Sequence, residues 1–172
     1  MRKDPKNKEK VELYLSLGSN QGDRRRNLEA AISMLNIELG TPYKAVSSFI
    51  ETEPWGFESS GKFINAVVMY ELELPENFNA EAEGLMILEI CKGIEERLGR
   101  TQGPQYDERG ERIYSDRPID IDILLLGDCR IDCPELTVPH KLMYERDFVM
   151  IPLREILTAS EKPQNDVRNI SE

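Results

Sequence analysis

The chain has 172 residues, a length that suits one domain around one core. Its 40% hydrophobic and 31% charged residues exclude an extended disordered chain. With 22 basic and 32 acidic residues the net charge is −10, a poor match to a general nucleic-acid binder, which needs a basic footprint. No apolar run approaches the ~20 residues that a membrane span needs. Residues 1–10 are polar and charged, unlike a signal peptide. Three cysteines, with no second cysteine or histidine pair beside Cys129 and Cys133, read as reduced thiols rather than a zinc site. The expectation is a cytoplasmic monomer that acts on small molecules, with no membrane or nucleic-acid partner.

The first predicted strand is Val11–Leu17. Gly18-Ser19-Asn20-Gln21-Gly22-Asp23 then reads as a turn ending in a helix cap, chiefly structural. It lacks the Lys-Ser/Thr ending of a phosphate-binding P-loop. Leu28, Ile32, Leu35 and Leu39 follow at helical spacing, and Gly40-Thr41-Pro42 stops the helix. Ala45–Glu51 reads as a strand, Glu53–Lys62 as a loop, and Phe63–Leu74 as a second strand. In that strand Ile64, Ala66, Val68, Tyr70 and Leu72 share one face, and Phe63, Asn65 and Val67 share the other. Pro75–Asn79 opens a long helix with the stripe Ile87, Cys91, Ile94, Leu98 and a cap at Gly99. Arg100–Arg117 is a polar stretch too long for a plain connection. Ile119–Leu126 is a strand, Arg130-Ile131 starts a short one, and a last helix covers about Tyr144–Leu157.

The order β-α-β-β-α-β with additions points to an α+β domain over residues 1–172. Residues 1–10 and about 158–172 are expected to be peripheral extensions. The arrangement predicted is ferredoxin-like, a split βαβ antiparallel sheet with helices mainly on one face and the other face free for a site. Such a fold decides no function by itself.

The sharpest chemical signal is Arg117-Pro118-Ile119-Asp120-Ile121-Asp122-Ile123. Residues two apart on a strand share a face, so Asp120 and Asp122 point together while Ile119, Ile121, Ile123 and Leu125 turn into the core. Two adjacent carboxylates repel, and a hard divalent cation compensates both. Taken alone a D-x-D pair is equally a solvated acidic strand end. Arg100, Arg117 and Arg146 offer forks for phosphate oxygens, although single arginines more often make surface ion pairs. His140 is the only histidine and suits a phosphate hydrogen bond or a structural role. Asn65 offers a donor and an acceptor side by side, as the edge of a heterocycle requires, and Phe63 and Phe148 could flank a flat ring.

Six ordered blocks together resemble the 6-hydroxymethyl-7,8-dihydropterin pyrophosphokinase family of folate synthesis. They are Leu17–Asp23 with Asn27-Leu28, Glu51–Gly56, Phe63–Val67, Glu95–Arg100, Arg117–Ile123 and Val138–His140, closed by Arg146–Val149 and Pro152-Leu153. The resemblance implies pyrophosphate transfer from ATP to the hydroxymethyl group of the reduced pterin, with AMP as the other product. It implies two magnesium ions on Asp120 and Asp122, with Arg100 and Arg117 as phosphate-binding arginines of mobile loops. It further implies His140 and Arg146 as triphosphate contacts, and Glu95 as a nucleotide-side residue. Asn65 is implied at the pterin edge, Phe63 and Phe148 as stacking rings, and Thr52, Pro54 and Trp55 as the pterin-pocket wall. Two departures stand out. The Arg100–Arg117 stretch is longer than in compact members, with Tyr114 where a tryptophan is common, and Lys141 stands where some members have tyrosine. Two other readings fit the same residues less closely. One is a non-catalytic ligand- or RNA-binding module, and the other is a metal-dependent phosphohydrolase that would need no pterin.

Overall fold

The computed structural model describes residues 7–54, 61–100, 105–113 and 116–161. Strand β1 (Lys8–Ser19) leads to helix α1 (Arg24–Glu38), then to short strands β2 (Ala45–Val46) and β3 (Ile50–Thr52). The long β4 (Phe63–Pro75), helix α2 (Ala80–Arg97) and two-residue strands β5 (Gln105–Tyr106) and β6 (Arg112–Ile113) follow. The chain closes with β7 (Asp120–Leu126), the pair β8 (Ile131–Cys133) and β9 (Leu136–Val138), a 3-10 turn at Met143–Glu145, and α3 (Asp147–Glu161).

The main sheet runs β2-β4-β1-β7, with β3 also on β4, and every pairing is antiparallel. The expected antiparallel sheet with helices is therefore present. Its helix-side core takes Leu13, Leu15 and Leu17 from β1, Ala66, Val68 and Tyr70 from β4, and Ile121 and Ile123 from β7. Against them lie Leu28, Ile32 and Leu35 of α1 and Ile87, Cys91 and Ile94 of α2, the helical stripes read from the sequence. Asp23 and Asn79 start these helices by accepting from the N–H groups of Arg26 and Ala82.

Four expectations are corrected. The strand expected at Ala45–Glu51 is broken at Ser47, whose Oγ accepts from the Val67 N–H at 2.9 Å in place of a backbone carbonyl. Pro75 ends β4 rather than opening α2, which starts after its Asn79 cap. The alternation in β7 fails at Leu125: a register shift opposite Tyr14/Leu15 sends it to the second sheet face beside Leu124, instead of into the core, and returns Leu126 to the core. That second face is only half free. Tyr14, Val67, Met69 and Leu124 are covered there by Met143, Val149, Leu153 and Ile156. Among the described residues no helix is long and apolar enough to cross a membrane.

Candidate active site

The floor of the site is set by two cross-strand rows of the second face, the second of which begins at the covered Val67. Register places Asn65, Gly18 and Asp120 side by side on β4, β1 and β7, and Val67, Ser16 and Asp122 in the next row. The central strand thus contributes the two small residues, Ser16 and Gly18. A side chain on Gly18 would not fit, because its Cβ would lie 2.8 Å from Asn65 Oδ1. Glycine inside a strand marks such close approaches.

Walls rise around this floor. Phe63 is buried and Phe148 half-buried, and both line the pocket with Thr52 and Glu53. Asn65 is only 3% exposed, and its Nδ2 donates to the Thr52 hydroxyl. An amide has a second N–H and an acceptor oxygen, so one donor and one acceptor remain for a ligand edge. Arg117 and Arg146 complete the rim. The Arg117 guanidinium lies 5.4 Å from the centre of the Phe63 ring, and that of the buried Arg146 lies 5.6 Å from Phe148.

A second cleft, between α2 and the β8–β9 pair, is a groove that also contains Asp120 and Asp122. Glu95, Arg100 and His140 line it, with Lys92, Tyr106, Glu135 and Lys141. Arg100 is placed by the way α2 ends. Gly99, at φ +99, turns the chain, its N–H reaches the Glu96 carbonyl, and the Arg100 N–H reaches the Glu95 carbonyl, both at 3.0 Å. The Arg100 guanidinium then donates to Glu95 Oε2 at 3.0 Å and to Asp120 Oδ1 at 2.8 Å. Arg117 Nη2 approaches the other Asp120 oxygen at 3.4 Å. Glu95 Oε1 accepts from the Ile121 N–H at 2.8 Å, which ties α2 to β7. Burial, reinforced by the Asp120 charge, pushes the Glu95 carboxyl up to about 7 despite the opposing pull of Arg100. His140 is fixed by its backbone N–H, which donates to the Leu124 carbonyl at 3.0 Å, while its ring Nδ1 accepts from the Leu142 N–H at 3.2 Å.

The residues singled out from sequence therefore converge on two adjoining clefts that share the carboxylate pair. Thr52, Phe63, Asn65, Arg117, Arg146 and Phe148 meet on the pocket side, and Glu95, Arg100 and His140 on the groove side. Arg146 was expected with the triphosphate contacts but lines the pocket rather than the groove. Pro54 is half-buried and lines neither cleft, and Trp55 lies outside the described residues. Sequence reasoning missed Ser16, Gly18 and Glu53. The first two were legible as the small alternates to Leu13, Leu15 and Leu17 on β1.

The family model described as 7,8-dihydro-6-hydroxymethylpterin-pyrophosphokinase matches residues 14–158. A 2-amino-4-hydroxy-6-hydroxymethyldihydropteridine pyrophosphokinase of Porphyromonas gingivalis is 47% identical over 84% of this chain and 89% of its own length. The protein of the same name from Bacillus subtilis is 38% identical over 87% of this chain and 80% of its own. A mitochondrial folate synthesis bifunctional protein of Pisum sativum is 34% identical over 85% of this chain, which spans 25% of that longer protein. With the match running from β1 into α3, the chain belongs to the 7,8-dihydro-6-hydroxymethylpterin-pyrophosphokinase family.

Proposed function

We propose that the two clefts are the two substrate sites of the family's reaction and that Asp120 and Asp122 are its metal-binding centre. The activity itself follows from membership: an ATP-dependent enzyme transfers pyrophosphate to 6-hydroxymethyl-7,8-dihydropterin in folate synthesis. The observation that carries the site assignment is that Asp120 and Asp122 belong to both clefts. A flat heterocycle in the aromatic pocket and a nucleotide in the groove would meet at that pair.

In this reading Asn65, supported by Thr52, reads the pterin edge, and Phe63 and Phe148 hold the ring. Glu95 and His140 hold the nucleotide in the groove. Arg100, Arg117 and Arg146 take the phosphate oxygens. The pterin hydroxyl attacks the β-phosphorus of ATP, and AMP leaves. Positioning and neutralisation of charge carry most phosphoryl-transfer catalysis.

The donor set suits magnesium. That ion prefers hard oxygen and is commonly held by one or two carboxylates together with substrate phosphates. Among the described residues no group of three or more His, Cys, Asp or Glu could hold an ion alone, which fits a metal that arrives with the nucleotide. Two magnesium ions would neutralise the triphosphate and stabilise charge on the attacking and leaving oxygens. Arg100 and Arg117 engage both oxygens of Asp120 in the free enzyme. Loading the site therefore asks these arginines to exchange a carboxylate for phosphate. We also assign the strand order, with β4 inserted between β1 and the β2/β3 edge, to the ferredoxin-like split βαβ arrangement.

The test is binding of each substrate to Asp122→Ala. Magnesium-dependent affinity for a non-transferable ATP analogue should fall by at least about tenfold, as for a lost charged contact of ~1.5–3 kcal/mol, while pterin affinity and melting temperature hold. Equal losses for both substrates would remove Asp122 from the nucleotide side.

A further inference from the structure

The turn between β1 and α1 has the sequence of a simple helix cap, yet it holds the far end of the site. The β1–β7 register ends at Gly18 opposite Asp120. Beyond it, Asn20 continues the ladder. Its backbone N–H donates to the Arg117 carbonyl at 3.2 Å, and its side-chain Oδ1 accepts from the Arg117 N–H at 2.7 Å. Its Nδ2 donates to Asp116 Oδ1 at 2.6 Å. Asn20 is 8% exposed and lines neither cleft. Its side-chain amide thus accepts from the backbone N–H through its oxygen and donates to the carboxylate through its nitrogen. The turn is in turn fastened to α1, where Asn27 Nδ2 donates to the Gln21 carbonyl at 2.9 Å and to Ser19 Oγ at 3.3 Å.

Arg117 precedes Pro118, which biases its backbone to the extended region, so the clamp and the proline together set where its side chain leaves the chain. That guanidinium stands between the Phe63 ring and Asp120 Oδ2. We infer that Asn20 is a positioning residue for the transfer reaction: its side-chain amide clamps Asp116–Arg117 and so sets the place of the Arg117 guanidinium beside Asp120. The inference rests on the role proposed above for Arg117. It gives Gly18–Asp23 a task beyond the cap at Asp23, because the clamp reaches across 97 residues of sequence to the start of β7.

Steady-state kinetics of five variants test it: Asn20→Ala, Asn20→Asp, Arg117→Ala, Asn20→Ala/Arg117→Ala, and the exchange Asn20→Asp/Asp116→Asn. Misplacement by about 1 Å costs up to ~10²-fold, so Asn20→Ala should lower kcat about 10- to 100-fold. If Asn20 acts through Arg117, the same substitution in the Arg117→Ala background should change kcat by less than about twofold, because coupled residues are non-additive. Asn20→Asp sets a carboxylate against Asp116 and should be at least as damaging. The exchange variant restores one acceptor for the Arg117 N–H and one donor–acceptor pair, and should recover kcat to within about threefold of wild type. Full activity of Asn20→Ala, an equal loss in both backgrounds, or an exchange variant no better than Asn20→Asp in turnover or folding would overturn the inference. An Arg117→Ala enzyme with normal turnover would instead remove Arg117 from the site and sink the reading on which the inference rests.

Discussion

Replacing Gly18 with alanine places a methyl carbon where the floor of the pocket has no room. The added Cβ would stand 2.8 Å from Asn65 Oδ1 and 3.6 Å from Phe63 Cδ1. The first distance is far inside van der Waals contact, so the Asn65 amide must move. It cannot swing into solvent, because it is 3% exposed and its Nδ2 is held by Thr52. Two opposed terms act on stability. Alanine gains ~0.5–1 kcal/mol over glycine within a strand. Overpacking costs ~1–3 kcal/mol. The net loss is at most ~2.5 kcal/mol, which lowers the melting temperature of a chain this size by at most about 10 °C. The folded state therefore survives. Binding suffers more, since a displaced or unpaired amide costs ~1–3 kcal/mol, or about 5- to 150-fold in affinity for the ring it reads. Titration with the reduced pterin in the presence of a non-transferable ATP analogue measures that loss, and titration with the analogue alone should change little. Unchanged pterin affinity in a folded Gly18→Ala protein would refute both the close packing of this floor and the place of the pterin on it.

The other expectations follow from the same geometry. Asn65→Ala should cost pterin binding ~1–3 kcal/mol and nucleotide binding much less; equal losses in the two titrations would place Asn65 elsewhere. Glu95 makes stability depend on pH. A carboxyl raised by burial to about 7 holds its proton more tightly folded than unfolded, so its stabilising contribution is complete below the unfolded value near ~4.3 and is lost as pH rises through about 7. Glu95→Gln keeps the neutral form, so its melting temperature should fall less between pH 5 and 8 than that of wild type, and parallel curves would contradict a neutral buried Glu95.

Much of this architecture is legible in the sequence wherever one residue's periodicity is decided by one buried face. The stripes of α1 and α2 are read correctly because a single layer buries each, and β4 keeps its alternation although α3 also covers Val67 and Met69 on its other face. The Asp120/Asp122 pair is legible because isoleucines separate the two carboxylates. What was hidden depends on partners distant in sequence. The break at Ser47 exists only because its hydroxyl substitutes for a carbonyl facing Val67. The shift at Leu124 exists only opposite β1, and the cover over Leu124 comes from α3. The β8–β9 pair is too short to show a period, and only its first residue was expected to be a strand. The clamp at Asn20 is the extreme case, since nothing near it in sequence announces Asp116 or Arg117.

The central claim is that pyrophosphate moves as a unit at Asp120 and Asp122. Chromatography of the nucleotide formed from ATP and 6-hydroxymethyl-7,8-dihydropterin tests it most directly, run with wild type and Asp122→Ala side by side. Asp122 faces the site rather than the core, so its removal opens no cavity and the variant should melt like wild type. Wild type should yield AMP and the pterin pyrophosphate in equal amounts, and the folded variant almost none. Release of ADP by wild type, or normal AMP formation by Asp122→Ala, would contradict the account.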